Sequence, residues 1–526
     1  MRGKAENDMG KLCKVKPDRN KMIQVCFFLF LAIGILARAW KLGSVPAGVN
    51  HDEAYGAYEA YSLLHYGVDS NGHPFPVYLE VWNSGMSVLN TYMMMPLIAL
   101  FGLHTWVIRI PEMVIACLTL CAVYGIMKRV INKTAAICCL FLLAVSPWHI
   151  MMSRWSLDAN LAPGFLIFGW YFFMRGLEKS RFFPISALMY GLSLYCYATI
   201  WPFVPLIILL QFGYCILQKK VTWSKEIVIS AVLLFFMALP LFLFLLVNKG
   251  IIGEINLGFF SIPKISHMRA SEITFTNIIP NLKTLWYILK RQSDGLIWNI
   301  SPEYGFFYLF TMPFFFLGLF FHVVHIIKSI IQRKFCPEMF VMIQLFAGGL
   351  VGLLIEANIN RVNILLIPMI IVAASGIYYL CEMADIRLLL IPFVIYVISF
   401  GKFEKYYYTD YQEQLSPWFG FGLEEALQEA CSHEGTIYVD AVYSYSRIMY
   451  YCRIPVTDFL ETVERYDNED GTRSVMGFDR FQFEFDENHP AQDGIYLLDA
   501  TVNLQPYEEG AFTLHYFENY VVAIPK

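Results

Sequence analysis

Three short polar segments interrupt a sequence that is otherwise strongly apolar. They are His51-Asp52-Glu53, the segment 146–160 with Arg154 and Asp158, and the segment 356–368 with Asn360 and Arg361. A carboxylate can act as a general base, and the planar guanidinium of arginine can bind a phosphate through two hydrogen bonds. These residue types suit a reaction that deprotonates a hydroxyl and stabilises a phosphate.

Each segment also has a simpler structural explanation. Asp52 could cap a helix over residues 54–64, Arg154 and Asp158 could form an ion pair four residues apart on a helix, and Arg361 could reach toward lipid headgroups. Two of the three segments contain arginine, and all three contain a carboxylate, since 356–368 begins with Glu356. The combination favours one shared site over three unrelated features.

The surrounding composition is that of a membrane protein. Of 526 residues, 57% are hydrophobic and only 16% are charged, whereas soluble domains have about a quarter charged residues. Residues 227–247 form 21 positions without a charge, and about 20 such residues span a bilayer as a helix. The sequence therefore predicts an α-helical polytopic membrane protein and argues against a water-soluble enzyme.

We predict about eleven spans, with the N-terminus in the cytoplasm. The spans are 22–40, 106–127, 134–149, 161–178, 183–198, 200–217, 226–247, 304–327, 338–356, 362–380 and 386–400. This arrangement places 20 of the 31 Lys/Arg residues before residue 401 on the cytoplasmic side, as the positive-inside rule requires. The apolar stretch 86–102 is predicted as a helix against the outer membrane face, within the long outer loop 41–105. A second long outer loop covers 248–303.

The two ends of the chain differ in charge. Residues 1–21 contain seven basic side chains before an apolar run and are not followed by a small-residue cleavage site, so they predict a cytoplasmic tail and a signal anchor. Residues 22–400 are predicted to form the membrane domain. Residues 401–526 contain 23 Asp/Glu and 8 Lys/Arg, a net charge of −15, whereas the first 400 residues have 31 Lys/Arg and 20 Asp/Glu, a net charge of +11.

The acidic segment 401–526 is predicted to be a separate extracytoplasmic α/β domain. Helical spacing covers 421–432, short β-rich runs cover 436–442 and 494–500, and 513–525 is a candidate for the final strand. The segment 465–494 is acidic and rich in Asp, Asn and Gly, and predicts a long loop. Cys431 and Cys452 could pair outside the cytoplasm or remain free thiols.

Several of these motifs resemble a known family, the polytopic GT-C glycosyltransferases. The sequence is similar to the bacterial relatives of the protein O-mannosyltransferases and to the lipid A aminoarabinose transferases over about residues 22–400. The similar motifs are Asp52-Glu53, GVDSNGHPFPVY at 67–78, VIRIPEMVIACLTLCAVYGIMKRVINKTAA at 107–136, SPWHIMMSRWSLDAN at 146–160 and NRVNILLIP at 360–368.

The resemblance implies an inverting transferase that uses a polyprenyl-phosphate sugar outside the cytoplasm of a bacterium. It makes Asp52 the catalytic base and Glu53 the second member of the catalytic pair. The donor and acceptor would be held by His51, Arg154, Asp158, Asn360 and Arg361, with the two arginines on the lipid phosphate. His51 departs from the aromatic residue that relatives often have there. The acceptor would be a protein, a lipid or a cell-wall polymer.

Two questions stay open at the level of sequence. Some GT-C enzymes need a divalent metal, which Asp52, Glu53 and Asp158 could bind, but no D-x-D triplet supports a metal site. The second open question is the function itself. The alternative to a glycosyltransferase is a transporter or flippase of lipid-linked sugars, which would predict ionisable residues at mid-span and inverted repeats. A third option, a structural or binding membrane protein with a receptor-like tail, would explain the acidic tail but not the three polar segments. Nucleic-acid binding is disfavoured because no basic stripe lies on a soluble face.

Overall fold

The computed structural model describes residues 19–81, 84–265, 274–384, 387, 390–440, 445–467, 473–508 and 512–526. Five of the seven N-terminal basic residues lie outside this part of the chain. The described residues form a helical membrane domain and a C-terminal sheet domain, which confirms the predicted fold class.

A helix occupies every predicted span. These helices are Arg19–Ala39, Ile110–Val130, Lys133–Ala144, Leu161–Glu178, Phe183–Ser193, Phe203–Leu217, Lys225–Asn248, Met312–Ile331, Glu338–Leu354, Leu366–Met383 and Leu390–Tyr408. Within the described ranges, six helical segments are long and apolar enough to cross a bilayer. The total of eleven spans and their orientation stay predictions. The last helix continues past the predicted domain boundary at residue 400.

The helices pack closely where glycine removes the side chain. A Cβ atom on Gly318 would collide with the backbone of Val372, and one on Gly376 would collide with the backbone of Phe314. The helices Met312–Ile331 and Leu366–Met383 therefore approach each other through their backbones, as small residues allow in membrane bundles.

The two long loops contain secondary structure of their own. The first holds the helix His51–Tyr66, called the site helix below, the antiparallel strands β1 (Tyr78–Val81) and β2 (Ser84–Ser87), and the helices Leu89–Phe101 and Thr105–Ile108. The second holds strands β3 (Ile255–Asn256) and β4 (Ser261–Ile262) and the helix Ile278–Arg291. The predicted helix at 86–102 is thus present.

The described residues of the C-terminal domain form the strands β5 (Ile437–Val439), β6 (Glu464–Asp467), β7 (Arg473–Phe478), β8 (Phe481–Gln482), β9 (Ile495–Asp499), β10 (Phe512–Phe517) and β11 (Tyr520–Pro525). These strands make one mixed sheet in the order β10-β11-β9-β5-β8-β7-β6. Its helices are Asp410–Leu415, Leu423–Cys431, Tyr445–Cys452, Val456–Thr462 and Gln505–Glu508. Cys431 and Cys452 are free thiols.

Two local predictions in this domain are wrong. The predicted loop 465–494 contains strands because β7 pairs with β6 and β8, and Phe478 and Phe481 are buried beneath them. The single strand expected over 513–525 is an antiparallel hairpin, β10-β11. In both cases the strands are held by backbone hydrogen bonds to a neighbouring strand. The amino-acid composition of a segment does not show which strand it will pair with.

The C-terminal domain packs against the site helix. The Tyr58 hydroxyl donates to the Ile454 carbonyl over 2.8 Å, and the Ser446 hydroxyl donates to the His51 carbonyl over 3.1 Å. The Asn50 side-chain amide also donates to the Trp418 carbonyl at 3.2 Å. The domain therefore lies on the same side of the helical bundle as the first polar segment.

Candidate functional site

The site helix begins with a capping box built by Asn50 and Glu53. The Asn50 side chain accepts a hydrogen bond from the backbone N–H of Asp52 at 3.0 Å, and Glu53 Oε2 accepts from the backbone N–H of Asn50 at 3.0 Å. The structural alternative in which Asp52 is the cap is therefore wrong. The Asp52 side chain is 26% exposed and lies in the first helical turn, where the helix dipole favours a carboxylate.

Glu53, in contrast, is completely buried in an ion pair with Arg109. Arg109 donates from Nε to Glu53 Oε1 at 2.9 Å and from Nη2 to Glu53 Oε2 at 3.0 Å. Glu53 Oε1 also accepts from the backbone N–H of Ser156 at 2.7 Å. Both oxygens of Glu53 are therefore occupied, and the geometry gives Glu53 a positioning role beside Asp52.

Sequence reasoning did not identify Arg109 as a site residue. Its remaining N–H groups donate to three carbonyls in the loop before the site helix, those of Leu42, Pro46 and Gly48, at 2.8–3.1 Å. In the sequence, Arg109 is one arginine at the start of an apolar segment, a position typical of lipid-facing anchors. Only the three-dimensional structure shows that Arg109 ties the loop before the site helix to Glu53.

Arg154 is placed differently from the prediction. It is completely buried, and its guanidinium donates to five backbone carbonyls at 2.7–3.2 Å, those of Ala37, Arg38, Trp40, Lys41 and Val45. The last carbonyls of a helix have no partner within the helix, and Arg154 satisfies them at the end of Arg19–Ala39. The alternative of an ion pair with Asp158 does not account for these contacts. A phosphate that bound Arg154 would have to displace the carbonyls.

Hydrogen bonds join the three polar segments. Glu53 holds the backbone of Ser156, which links the first segment to the second. The Asn363 side-chain amide donates to the Ala159 carbonyl at 2.7 Å, which links the third segment to the second. The structure thus brings together segments more than 100 and 200 residues apart in the sequence.

Asp158 is buried within this junction. Its Oδ2 atom accepts from the backbone N–H of Ser87 at 2.9 Å, and its Oδ1 atom accepts from the backbone N–H of Ala159 at 2.7 Å. Strand β2 is thereby attached to the second polar segment. Through these contacts Asp158 holds the backbone of β2 against the second polar segment.

Arg361 and Asn360 are half-buried in the short helix Ile359–Val362. The Asn358 side chain caps this helix by accepting from the Arg361 backbone N–H at 2.8 Å, and Arg361 Nη1 donates to the Glu356 carbonyl at 3.0 Å. Asp294, from the second long loop, accepts from the backbone N–H of Ile359 at 2.9 Å. The second long loop therefore fixes the segment that carries Arg361.

His51 lies beside Asp52, with 3.9 Å between His51 Nε2 and Asp52 Oδ1. Burial lowers the pKa of His51, the Asp52 carboxylate opposes that shift, and Arg447 adds to it. The neutral imidazole is thus favoured. Among the residues that the structure describes, no three His, Cys, Asp or Glu side chains are arranged to hold a metal ion. Glu53 is directed to Arg109 and Asp158 to backbone N–H groups, so they do not form a ligand set with Asp52.

Comparison with known proteins agrees with this architecture. Residues 87–246 match the family model described as dolichyl-phosphate-mannose-protein mannosyltransferase. No curated protein matches the chain by sequence.

Two solved structures of ArnT from Cupriavidus metallidurans are similar over nearly the whole chain. The structure bound to undecaprenyl phosphate is 11% identical, has a TM-score of 0.53, and covers 96% of this chain and 98% of its own. The apo structure is 12% identical, has a TM-score of 0.55, and covers 94% and 97%. The chain therefore has the fold of these ArnT structures, which is the fold that its motifs predict.

Proposed function

We propose that the chain transfers a sugar from a polyprenyl-phosphate donor to a hydroxyl group of an extracytoplasmic acceptor, with inversion. The observation that carries the proposal is the accessibility of Asp52. Its side chain is 26% exposed, whereas Glu53 and Asp158 are buried and directed to protein hydrogen-bond donors. Of the three predicted carboxylates, Asp52 is the one that an acceptor can reach.

The proposed reaction is a single displacement. Asp52 takes the proton of the acceptor hydroxyl while the oxygen attacks the anomeric carbon. The bond between that carbon and the phosphate oxygen breaks, and polyprenyl phosphate leaves with the electron pair. Attack opposite the leaving group inverts the anomeric carbon. A positioned general base contributes about 10²–10⁴-fold to such a reaction.

Arg361 is the arginine that we assign to the donor phosphate. It is half-buried beside the junction of the three segments, whereas the guanidinium of Arg154 is bound to five carbonyls. The similar structure with bound undecaprenyl phosphate supports a lipid phosphate as ligand. We include His51 and Asn360 in the same site because they adjoin Asp52 and Arg361 in the chain.

The same proposal places the site at the outer face of a bacterial plasma membrane. The supporting observation is that 401–526 packs on the site helix, so that this domain and Asp52 share one side. The positive-inside count places that side outside the cytoplasm. A protein, a lipid or a cell-wall polymer can present the acceptor hydroxyl there.

The test is a membrane assay with a panel of polyprenyl-phosphate sugars and candidate acceptors. Release of polyprenyl phosphate and the anomeric configuration of the product are measured, with and without EDTA. We expect Asp52→Asn to insert normally and to lower transfer by about 10²-fold or more, because the amide cannot accept the proton. Asp458→Asn is the matched control, since Asp458 is an exposed carboxylate in the first turn of another helix.

Three results would contradict the proposal in different ways. Transfer by Asp52→Asn near the wild-type rate would remove Asp52 from the mechanism. A retained anomeric configuration would exclude a single displacement. Movement of the intact lipid-linked sugar across the membrane, without release of polyprenyl phosphate, would favour the flippase alternative.

A further inference from the structure

Four buried side chains near Asp158 each have a polar atom without a hydrogen-bond partner among the described residues. The atoms are Ser87 Oγ, Asn90 Oδ1, Glu112 Oε1 and Asn363 Oδ1. None of the four residues is more than 4% exposed. Buried polar groups in proteins are nearly always hydrogen-bonded, so four such atoms around one turn require an explanation.

Separate contacts attach these residues to the segment 153–160. The Ser87 backbone donates to Asp158, the Asn90 side-chain amide donates to Ser156 Oγ at 2.8 Å, and the Asn363 side-chain amide donates to the Ala159 carbonyl. Glu112, in the first turn of Ile110–Val130, lies within electrostatic range of Asp158 and Glu53. Three separate parts of the chain, around residues 87–90, 112 and 363, thus contribute to one buried polar region.

The unpartnered atoms are mostly hydrogen-bond acceptors. A backbone carbonyl can only accept, so the Asn363 NH2 group must be the one that faces Ala159. The Asn363 Oδ1 atom is therefore the atom without a partner. The Ser156 hydroxyl is directed toward Met94 Sδ at 3.7 Å and therefore accepts from Asn90, which leaves Asn90 Oδ1. The Glu112 carboxylate adds a third acceptor, and the Ser87 hydroxyl can donate or accept.

Arg109, the cation that pairs with Glu53, does not supply the missing donors. Arg109 uses all five of its N–H groups on Glu53 and on three backbone carbonyls. A phosphate would meet acceptors and carboxylates here, so the region does not suit the anionic part of a lipid donor. A ligand with several neutral hydroxyl groups supplies the donors that the region lacks.

We propose that Ser87, Asn90, Glu112 and Asn363 form a subsite that binds hydroxyl groups of the transferred sugar. This inference rests on the proposed function and adds residues that determine sugar specificity. The subsite adjoins the base because Glu53, the neighbour of Asp52, holds the same turn through Ser156. A site built to hydrogen-bond a hydroxyl discriminates strongly against a ligand that lacks it.

The experiment compares binding by wild type, Glu112→Gln and Ser87→Ala in detergent. The ligands are the donor that wild type prefers from the polyprenyl-phosphate sugar panel, its monodeoxy analogues, and sugar-free polyprenyl phosphate. Glu338→Gln is the control, because Glu338 is a buried carboxylate in the first turn of a different helix. Ser87→Ala removes only a hydroxyl and serves if Glu112→Gln does not fold.

We expect Glu112→Gln to weaken binding of the preferred donor at least about 10-fold, because the amide NH2 group replaces an oxygen that could accept from a sugar hydroxyl. One monodeoxy analogue should then bind wild type and Glu112→Gln with similar affinity, because the lost hydroxyl is the one that Glu112 contacts. Ser87→Ala should weaken donor binding less than Glu112→Gln does. A different monodeoxy analogue, which lacks the hydroxyl that Ser87 contacts, should bind wild type and Ser87→Ala with similar affinity. Binding of sugar-free polyprenyl phosphate should stay unchanged in both variants.

Unchanged preference among the donors in both variants would overturn this inference while leaving the proposed function intact. An equal loss of sugar-free polyprenyl phosphate would also overturn it, because it would indicate a structural role. Failure of wild type to bind any donor of the panel would overturn the proposed function and this inference with it.

Discussion

At the scale of single residues, two neighbouring carboxylates have opposite environments. Asp52 is accessible at the start of the site helix, whereas Glu53 is completely buried and bound to Arg109. A buried charge that loses its partner costs several kcal/mol because it remains desolvated. The pair therefore fixes the backbone that carries Asp52, and the proposed reaction assigns the proton transfer to Asp52 alone.

We predict that Glu53→Gln lowers the free energy of unfolding by about 3–5 kcal/mol, because it leaves the Arg109 charge buried and unpaired. Thermal unfolding in detergent measures the loss. The double variant with Arg109→Met should be destabilised by less than the sum of the single variants, since the two residues interact.

The control for this prediction is Glu178→Gln. Glu178 pairs with Arg129 at 2.7 Å, but its side chain is 49% exposed, so the substitution should cost less than about 1 kcal/mol. The folded fraction of Glu53→Gln should retain more transfer activity than Asp52→Asn. If Glu53→Gln is as stable as wild type but as inactive as Asp52→Asn, the two carboxylates share the catalytic role.

At the scale of elements, the end of the first helix depends on a residue more than 100 positions away. Arg154 binds its last carbonyls and also lies over the rings of Tyr407 and Tyr408 at 5.8 and 5.3 Å. The first helix, the second polar segment and the last membrane helix therefore meet at one guanidinium. Through Val45, this junction is also bonded to the loop that precedes the site helix.

We predict that Arg154→Ala is destabilised by more than about 3 kcal/mol, because several buried acceptors lose their donor at once. Arg361→Ala should remain as stable as wild type to within about 1 kcal/mol and should bind the polyprenyl-phosphate sugar more weakly. Arg361→Lys should recover part of the binding, since it keeps the charge and loses the planar fork. Thermal unfolding and donor binding, measured on the same preparations, separate the two arginines. A stable Arg154→Ala that binds the donor poorly would restore Arg154 to the phosphate site.

At the scale of the whole molecule, the acidic domain encloses the site helix from one side. Contacts from residues 418, 446 and 454 reach Asn50, His51 and Tyr58. In the proposed function, an acceptor that reaches Asp52 passes beside this domain, whose net charge of −15 over 401–526 attracts cationic groups.

We predict that the acidic domain and the site helix are both outside the cytoplasm. In a Cys431→Ser background, cysteines introduced at the exposed positions Tyr66 and Glu487 should react with an impermeant maleimide in intact cells. A cysteine at Gln332, after the helix Met312–Ile331, should react only after lysis. Reaction at Glu487 only after lysis would reverse the topology and move the proposed site to the cytoplasm.

The sequence by itself determined the helices and the location of the polar segments. Long uncharged runs must form helices in a bilayer because no water is present there to bond the backbone. Polar residues beside such runs are costly and therefore informative. Composition also separated the acidic domain, and the motifs predicted the GT-C fold.

Only the tertiary structure decided which charge serves which purpose. Arg154 was a candidate for the phosphate and Arg109 was not, because a sequence does not reveal which backbone carbonyls converge on a guanidinium. Glu53 and Asp52 are adjacent in the sequence, yet burial against Arg109 separates their functions. The strands in 465–494 have nearby partners, since β7 pairs with its sequence neighbours β6 and β8. For the charges, the deciding partner comes from a distant part of the chain, and a buried charge is stable only with that partner in place.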